Sequence, residues 1–361
     1  MKRFTVQEVV EHSNRTCAGP LPDSALNRWL KRLTATENDV FFFKTYLRVL
    51  IFSGFWLYSL SAPFSYVRVI VYYLAYLFAA SAAFSTLHAS SHRCLLKKPL
   101  GWLDRAIFYL VSASLGYPPE YFAVVHVPNH HAYNNGDRDL GASLRYDRGR
   151  FLSYVANVAA FCGQRTGFIG LFALLRQRKG SLWLKRLVWG EVAFCLLVAG
   201  VAFVDWRKAI AFLVVPFFLM HWVDRTINWV EHLFIGPDDP QDSWTNALMI
   251  LGAINRGIGN AGYHAIHHIR INLPESELPA FFERNVDRFL ERSLVFYDTD
   301  HAVLLVNVWL GRWRYVLDHL IVLDTDRRTE EELIEELRRR LRPIVGELSP
   351  ARESAPEQSL S

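Results

Sequence analysis

Nine of the thirteen histidines in this 361-residue chain fall into four short clusters at helical spacing. His88 and His92 form H-x-x-x-H, and His126, His130 and His131 form H-x-x-x-H-H. His264, His267 and His268 form H-x-x-H-H, while His232 closes an N-x-x-x-H in which Asn228 stands one turn earlier. Residues three and four apart on a helix share a face, so each cluster can aim two or three imidazoles at one point. Neutral imidazole binds iron, copper, zinc and nickel, and nine imidazoles exceed what one tetrahedral zinc needs, so two metals are implied. His12, His301 and His319 have no partner in sequence and read as ordinary packed or surface residues. His221 could support the site or simply pack.

The elements that must bring these clusters together read as membrane spans. A crossing helix takes about 20 apolar residues. Four stretches qualify or come close: Val40 to Ser61, Tyr66 to Leu87, Leu187 to Val204, and a run from Ala209 through Pro216 that continues as a polar helix past His221 to His232. A turn at Pro63 joins the first pair and Asp205–Lys208 the second. The expected fold is therefore all-α and integral to a membrane, with four transmembrane helices as two hairpins and a cytosolic helical cap holding the metal site. Arg145, Arg148, Arg150, Arg165, Arg176, Arg178, Lys179, Lys185 and Arg186 lie between spans two and three. By the positive-inside rule they place that segment and both termini in the cytoplasm, against Arg207 and Lys208 on the outer turn. Spans two and four then exit on one side, so all four clusters share the cytoplasmic face, on the inner membrane in a bacterium.

The expected organisation is a cytosolic N-terminal segment over 1–39, a membrane domain carrying the clusters over 40–279, a helical cap over 280–345 and a polar, disordered tail over 346–361. Leu100–Leu115 and Phe168–Leu175 are amphipathic enough to lie in the interface. The last helix, Thr329–Leu341, has Glu early and Arg late, which suits the helix dipole. A net charge of +5 beside apolar spans favours anionic membrane lipid over nucleic acid as the partner. Cys17, Cys94, Cys162 and Cys195 are scattered, with no C-x-x-C, which argues against a disulfide framework, a zinc ribbon or an iron–sulfur site. The N-terminus lacks the apolar core of a secretion signal.

With their motifs HASSH, HVPNHH, NWVEH and GYHAIHH, residues from about Val40 to Pro279 resemble the membrane fatty-acid desaturase and hydroxylase superfamily. The similarity implies a diiron centre whose ligands are His88, His92, His126, His130, His131, His232, His264, His267 and His268. Asn228 matches the position that holds a metal through water in acyl-CoA desaturases. The acids of the run Asp137-Arg138-Asp139, and Glu231, become candidates to orient ligand imidazoles. The resemblance further implies O2 as co-substrate and a long-chain fatty acid, acyl thioester or lipid as substrate. No cytochrome b5 signature or cysteine cluster is present, so a separate ferredoxin, rubredoxin or cytochrome with its reductase is expected. Arg145, Arg148 and Arg150 read as topology determinants that could also meet an anionic head group.

Introduction of a double bond is the expected outcome. The second box has three residues between its first His and the His pair, where most acyl-CoA desaturases have two. That spacing, with NWVEH, resembles the alkane hydroxylases. GYHAIHH followed by LPESELP instead resembles bacterial desaturase-like enzymes, including those forming terminal alkenes by decarboxylation. Hydroxylation and decarboxylation therefore stay open. A membrane metal transporter or sensor would carry its histidines within the spans, and a zinc hydrolase needs only three protein ligands and a water.

Overall fold

Long apolar stretches become long helices, and polar or proline-bearing ones become short helices. The computed structural model describes residues 1–19, 23–163, 167–177 and 181–344. Arg165, Arg178, Lys179 and the expected tail over 346–361 lie outside the described residues. In chain order the first helices are α1 (Val6–Thr16), α2 (Ala25–Leu30), α3 (Val40–Ser61), α4 (Tyr66–His92), α5 (Gly101–Leu115) and α6 (Tyr121–Val125), followed by a π-helical stretch, His126–His131. Next come α7 (Phe151–Gly163), α8 (Phe168–Arg176), α9 (Leu182–Ala209), a second π-helical stretch, Ile210–Val214, and α10 (Val215–Glu231). The remainder is β1 (Met249–Leu251), α11 (His264–Ile269), α12 (Leu278–Arg284), α13 (Val286–Arg292), β2 (Val295–Tyr297), α14 (His301–Trp309), α15 (Trp313–Asp318) and α16 (Glu330–Leu341).

The chain folds as two units. Among the described residues, the first gathers 1–19, 130–163 and 225–344, and the second gathers 23–129, 167–177 and 181–224.

In the second unit, α3 has the boundaries read from sequence, and α4 runs on past Leu87 to His92 because nothing in Ala89-Ser90-Ser91 breaks a helix. α3, α4 and the run 182–231 are long and apolar enough to cross a membrane; α7 and α8 meet that test only as a pair. The expected third and fourth spans form one helical run, broken where Asp205 takes extended backbone values (φ −158°, ψ 102°). Lys208, which ran against the charge rule, is buried and donates from Nζ to the carbonyl of Leu60 at 2.9 Å. It thus satisfies one of the orphan carbonyls at the end of α3. Tyr72 and Tyr76 do the same for α5, donating to Ser114 O and Leu115 O at 2.9 and 3.0 Å.

Gly116 ends α5 with φ +95°, a left-handed value that costs glycine little. A Cβ there would also collide with the backbone of Pro216 and Phe217. Strain of this kind costs about 1–3 kcal/mol before the collision is counted. We expect Gly116→Ala to lower the melting temperature in detergent clearly, whereas Gly54→Ala, where a Cβ meets nothing, is expected to leave it in place.

The first unit is built around two apolar clusters. One joins Trp229, Val230, Leu233 and Phe234 to Leu304, Leu317, Leu333 and Leu337. The other joins Phe4 and Val9 to Met249, Tyr263, Ile266, Phe282 and Phe289. Between them runs a short parallel pair, β1 beside β2 with Ile250 opposite Phe296, which sequence periodicity did not announce. The capping boxes of α1 (Thr5 with Glu8) and α16 (Thr329 with Glu332) fix where those helices start. α16 carries Glu330, Glu331 and Glu332 in its first turn and Arg338, Arg339 and Arg340 in its last, as expected.

Candidate metal centre

Four imidazoles of the first unit converge. His130 is the last residue but one of the π-helical stretch, His232 follows the last residue of α10, and His264 and His268 lie one turn apart on α11. Packing fixes each support: Val230 and Leu233 flank His232 at about 1% exposure or less, and Tyr263, Ala265 and Ile266 anchor α11 in the core. The Nε2 atoms form a closed ring, with His130 to His268 at 3.2 Å, His268 to His264 at 3.0 Å, His264 to His232 at 3.4 Å and His232 to His130 at 3.3 Å. Four nitrogens each about 2.1 Å from a shared metal sit about 3.0 to 3.4 Å apart, depending on square or tetrahedral arrangement. The spacing fits a metal ion, and the group could hold one.

The opposite ring nitrogens settle the tautomers. His130 Nδ1 donates to Asp139 Oδ2 at 2.7 Å, and His232 Nδ1 donates to Asn246 Oδ1 at 2.6 Å and Asn246 O at 3.0 Å. His264 Nδ1 faces Glu231 Oε1 at 3.4 Å. A proton held on Nδ1 leaves the Nε2 lone pair for a metal, the usual role of an outer carboxylate or carbonyl. Burial by itself would raise the Asp139 carboxyl. His130, the Gly141 N–H and the Arg225 guanidinium outweigh it and hold Asp139 below the usual carboxylate range. Burial, reinforced by His130, pushes His232 down to about 3, and burial with the neighbouring imidazoles lowers His264 well below its ordinary value. His232 and His264 therefore stay unprotonated at neutral pH.

A pH dependence follows for the metal-free protein. Unfolded, His232 takes up a proton near the ordinary value of about 6.5; folded, it does so only at about 3. Between those limits the unfolded chain binds more protons, so stability falls as pH falls. We expect a lower melting temperature at pH 5 than at pH 7.5, with the difference reduced in His232→Asn; an unchanged difference would count against the buried, neutral imidazole.

In the second unit His88 and His92, one turn apart at the end of α4, meet His126, with ring centroids 4.6 to 5.3 Å apart. Phe122 stacks on His126 at 5.2 Å. In the first unit His131 and His267 bring their Nε2 atoms to 2.9 Å. The sequence clusters thus do not each converge on one point. Neighbouring residues on a helix are turned by about 100°, so His130 and His268 join the ring of four while His131 and His267 pair with each other. The second box lies in the π-helical stretch, a form found at functional sites.

Asn228 stands one turn before His232 and donates from Nδ2 to Gly141 O at 3.0 Å, holding the loop that carries Asp139. Of the acidic run, Asp139 reaches an imidazole, whereas Asp137 pairs with Arg145 at 2.8 Å on the surface. Arg148 is no head-group ligand: it is fully buried and bonded to carbonyls, while Arg150 pairs with Asp147 at 3.2 Å. His12 bonds Leu251 O, and His319 bonds Tyr315 O. His221 donates to Phe217 O at 2.6 Å and packs among Tyr117, Tyr121 and Phe217. Two contributors escaped the sequence reading. Asn246 fixes His232 from fourteen residues away and in turn donates to Asn134 O at 2.9 Å. Ser13 of α1 shares a 2.7 Å hydrogen bond with Tyr263 Oη, next to His264.

The class is a mostly helical protein with helices long and apolar enough to cross a membrane and groups of imidazoles that could hold a metal. Residues 63–301, well over half of the chain, match the family model for fatty acid desaturase, and the chain belongs to that family. The family is one of metal-dependent oxidoreductases acting on fatty acyl chains. No curated protein matches the chain.

Proposed function

We propose that the chain is an O2-dependent diiron oxidase that introduces a double bond into a long-chain fatty acyl substrate. The observation that carries the reading is the closed ring of His130, His232, His264 and His268, with Nδ1 partners on three of them that turn the Nε2 lone pairs inward. One iron belongs to that ring. The family's histidine pattern implies the second, with Asn228 as a candidate to serve through a water. Bound there, the two irons would supply activation of O2 and removal of hydrogen from an unactivated C–H bond.

The protein's own work is to hold imidazoles and to keep water out. Asp139, Asn246 and Glu231 orient their imidazoles and hold the proton on Nδ1, and burial of the ring limits the access of solvent. The position of the acyl chain decides which hydrogens leave, since displacement of about 1 Å redirects such chemistry. The long helices cross the bilayer four times as two hairpins, the run 182–231 counting twice through its break at Asp205. Residues 280–345 form part of a cytosolic cap, electrons arrive from a separate ferredoxin, rubredoxin or cytochrome, and the substrate enters as a fatty acid, acyl thioester or lipid. Hydroxylation is the second reading, favoured by the π-helical second box with its extra residue.

Expression in a bacterial host with lipid and headspace profiling tests the product. A new internal double bond is expected; a hydroxylated chain would move the assignment to hydroxylation, and a volatile 1-alkene to decarboxylation. Metal analysis of the purified protein is expected to give about two irons per chain, while one zinc per chain would end the oxidase reading in favour of a hydrolase or transporter.

A further inference from the structure

The first unit carries an apolar surface that its own fold leaves uncovered. On α7, Phe151, Leu152 and Val155 are 53, 78 and 43% exposed; on α14 and just beyond it, Val303, Val306 and Leu310 are 40, 46 and 58% exposed. The two helices meet at Phe151 and Trp309, whose rings pack edge-on at 5.1 Å, and Trp309 also packs on Tyr154 at 5.1 Å. That contact joins the exposed apolar residues of the two helices at one end. Buried Leu304, Leu305 and Val308 fill the other face of α14, so this helix is apolar nearly all round. A water-facing helix of a soluble domain shows a polar outer face instead.

Two further observations say what covers it. α7 is one half of the helix pair that together meets the length and composition of a membrane-entering segment, so its exposed residues already have the character of lipid-facing ones. Arginines border the patch at both ends: Arg150, which pairs with Asp147 at 3.2 Å and has its side chain 77% exposed, directly precedes Phe151, and exposed Arg312 follows Leu310. The nearest acid on α14, Asp300, is turned to cap the helix through Val303 N–H at 2.9 Å. An apolar face with cationic borders is the arrangement that lies in the plane of an anionic lipid surface. A soluble protein partner would need neither.

We propose that α7 and α14 form a monotopic anchor by which the first unit lies on the bilayer, with Leu152, Val155, Val303 and Val306 immersed in the acyl boundary and Arg150 and Arg312 at the lipid phosphates. The anchor is independent of metal and of the reaction. It gives the first unit a hold on the membrane separate from the long helices of the second.

The test uses the full chain with its four cysteines replaced by serine, reconstituted in vesicles of phosphatidylethanolamine and phosphatidylglycerol. Spin labels go at Leu152→Cys and Val306→Cys, with Glu331→Cys on exposed α16 as the reference. Power saturation compares collision with O2, which concentrates in lipid, and with a water-soluble nickel chelate. At both patch sites O2 is expected to win, at a depth of about 5–10 Å below the phosphates, and at Glu331→Cys the chelate is expected to win. Chelate-dominated collision at both patch sites would overturn the proposal. So would spin–spin broadening that disappears on dilution with unlabelled protein, since that outcome assigns the patch to a second copy of the chain. All three positions are exposed, so folding is not at stake.

Discussion

His264→Ala is expected to empty the ring of four and abolish the unsaturated product while leaving the protein folded and in the membrane. The Nε2 of His264 lies 3.0 Å from that of His268 and 3.4 Å from that of His232, so it closes two of the four edges. Its loss leaves three imidazoles and removes the Nδ1 that faced the Glu231 carboxylate at 3.4 Å. Loss of a mere outer partner weakens a metal site by about 10–100-fold, and removal of a ligand should exceed that. The fold survives because Tyr263, Ala265 and Ile266, which anchor α11, are untouched. His130→Ala should match it through the same ring. His319→Ala, at a residue that bonds only a local carbonyl and stacks on Tyr315, should keep both metal and product. Metal content by mass spectrometry, read beside membrane retention and lipid profiles, decides the matter. Full metal content in His264→Ala would show that the ring is not the metal's seat.

Much of this site was legible because its signals are local. The i, i+4 pairs His88/His92 and His264/His268 each act together as helical spacing requires, and the boundaries of α3 follow from an apolar run closed by Pro63. What sequence could not reveal depends on contacts between distant residues. That His130 and His131 serve different partners follows from their 100° offset, yet the partners themselves, His268 and His267, are chosen by packing across the first unit. Asn246 lies in an irregular segment whose place is set by the Leu248 N–H bonded to Glu231 O and by the β1–β2 pair, neither of which leaves a periodic trace. The same holds for α1, which reaches the α11 region through Ser13 and Tyr263, 250 positions apart. Arg148 misled for a related reason. A positive charge in a loop reads as a surface residue until the carbonyls that surround it are assembled.

That arginine yields the second large effect. Arg148 is fully buried, and each of its nitrogens donates to main-chain carbonyls: Nε to Leu233 at 3.0 Å, Nη1 to Leu144 at 3.2 Å and Ser143 at 3.4 Å, and Nη2 to Arg340 at 2.7 Å and Arg342 at 3.0 Å. Two of those carbonyls belong to the end of α16, where the helix dipole favours a cation. Burial pushes the guanidinium down to about 10, opposed by Asp147, so it stays charged at neutral pH. Arg148→Met keeps most of the bulk but takes a donor from five carbonyls, three on buried residues and two at the less buried end of α16. Of these, Ser143 O and Leu144 O keep the N–H groups of Tyr146 and Ile344. Unsatisfied buried groups cost about 1–3 kcal/mol each, and partial relaxation should leave a loss of about 3–5 kcal/mol. Arg148→Lys, with one compact ammonium in place of a planar fork, should restore only part of it. The expected signature is local before it is global: faster hydrogen exchange and tryptic cleavage along α16, then loosening at Leu233 and so of His232 beside it. A variant that loses metal without any change in α16 would show that Arg148 serves the ring alone and does not also hold the C-terminal helix against it.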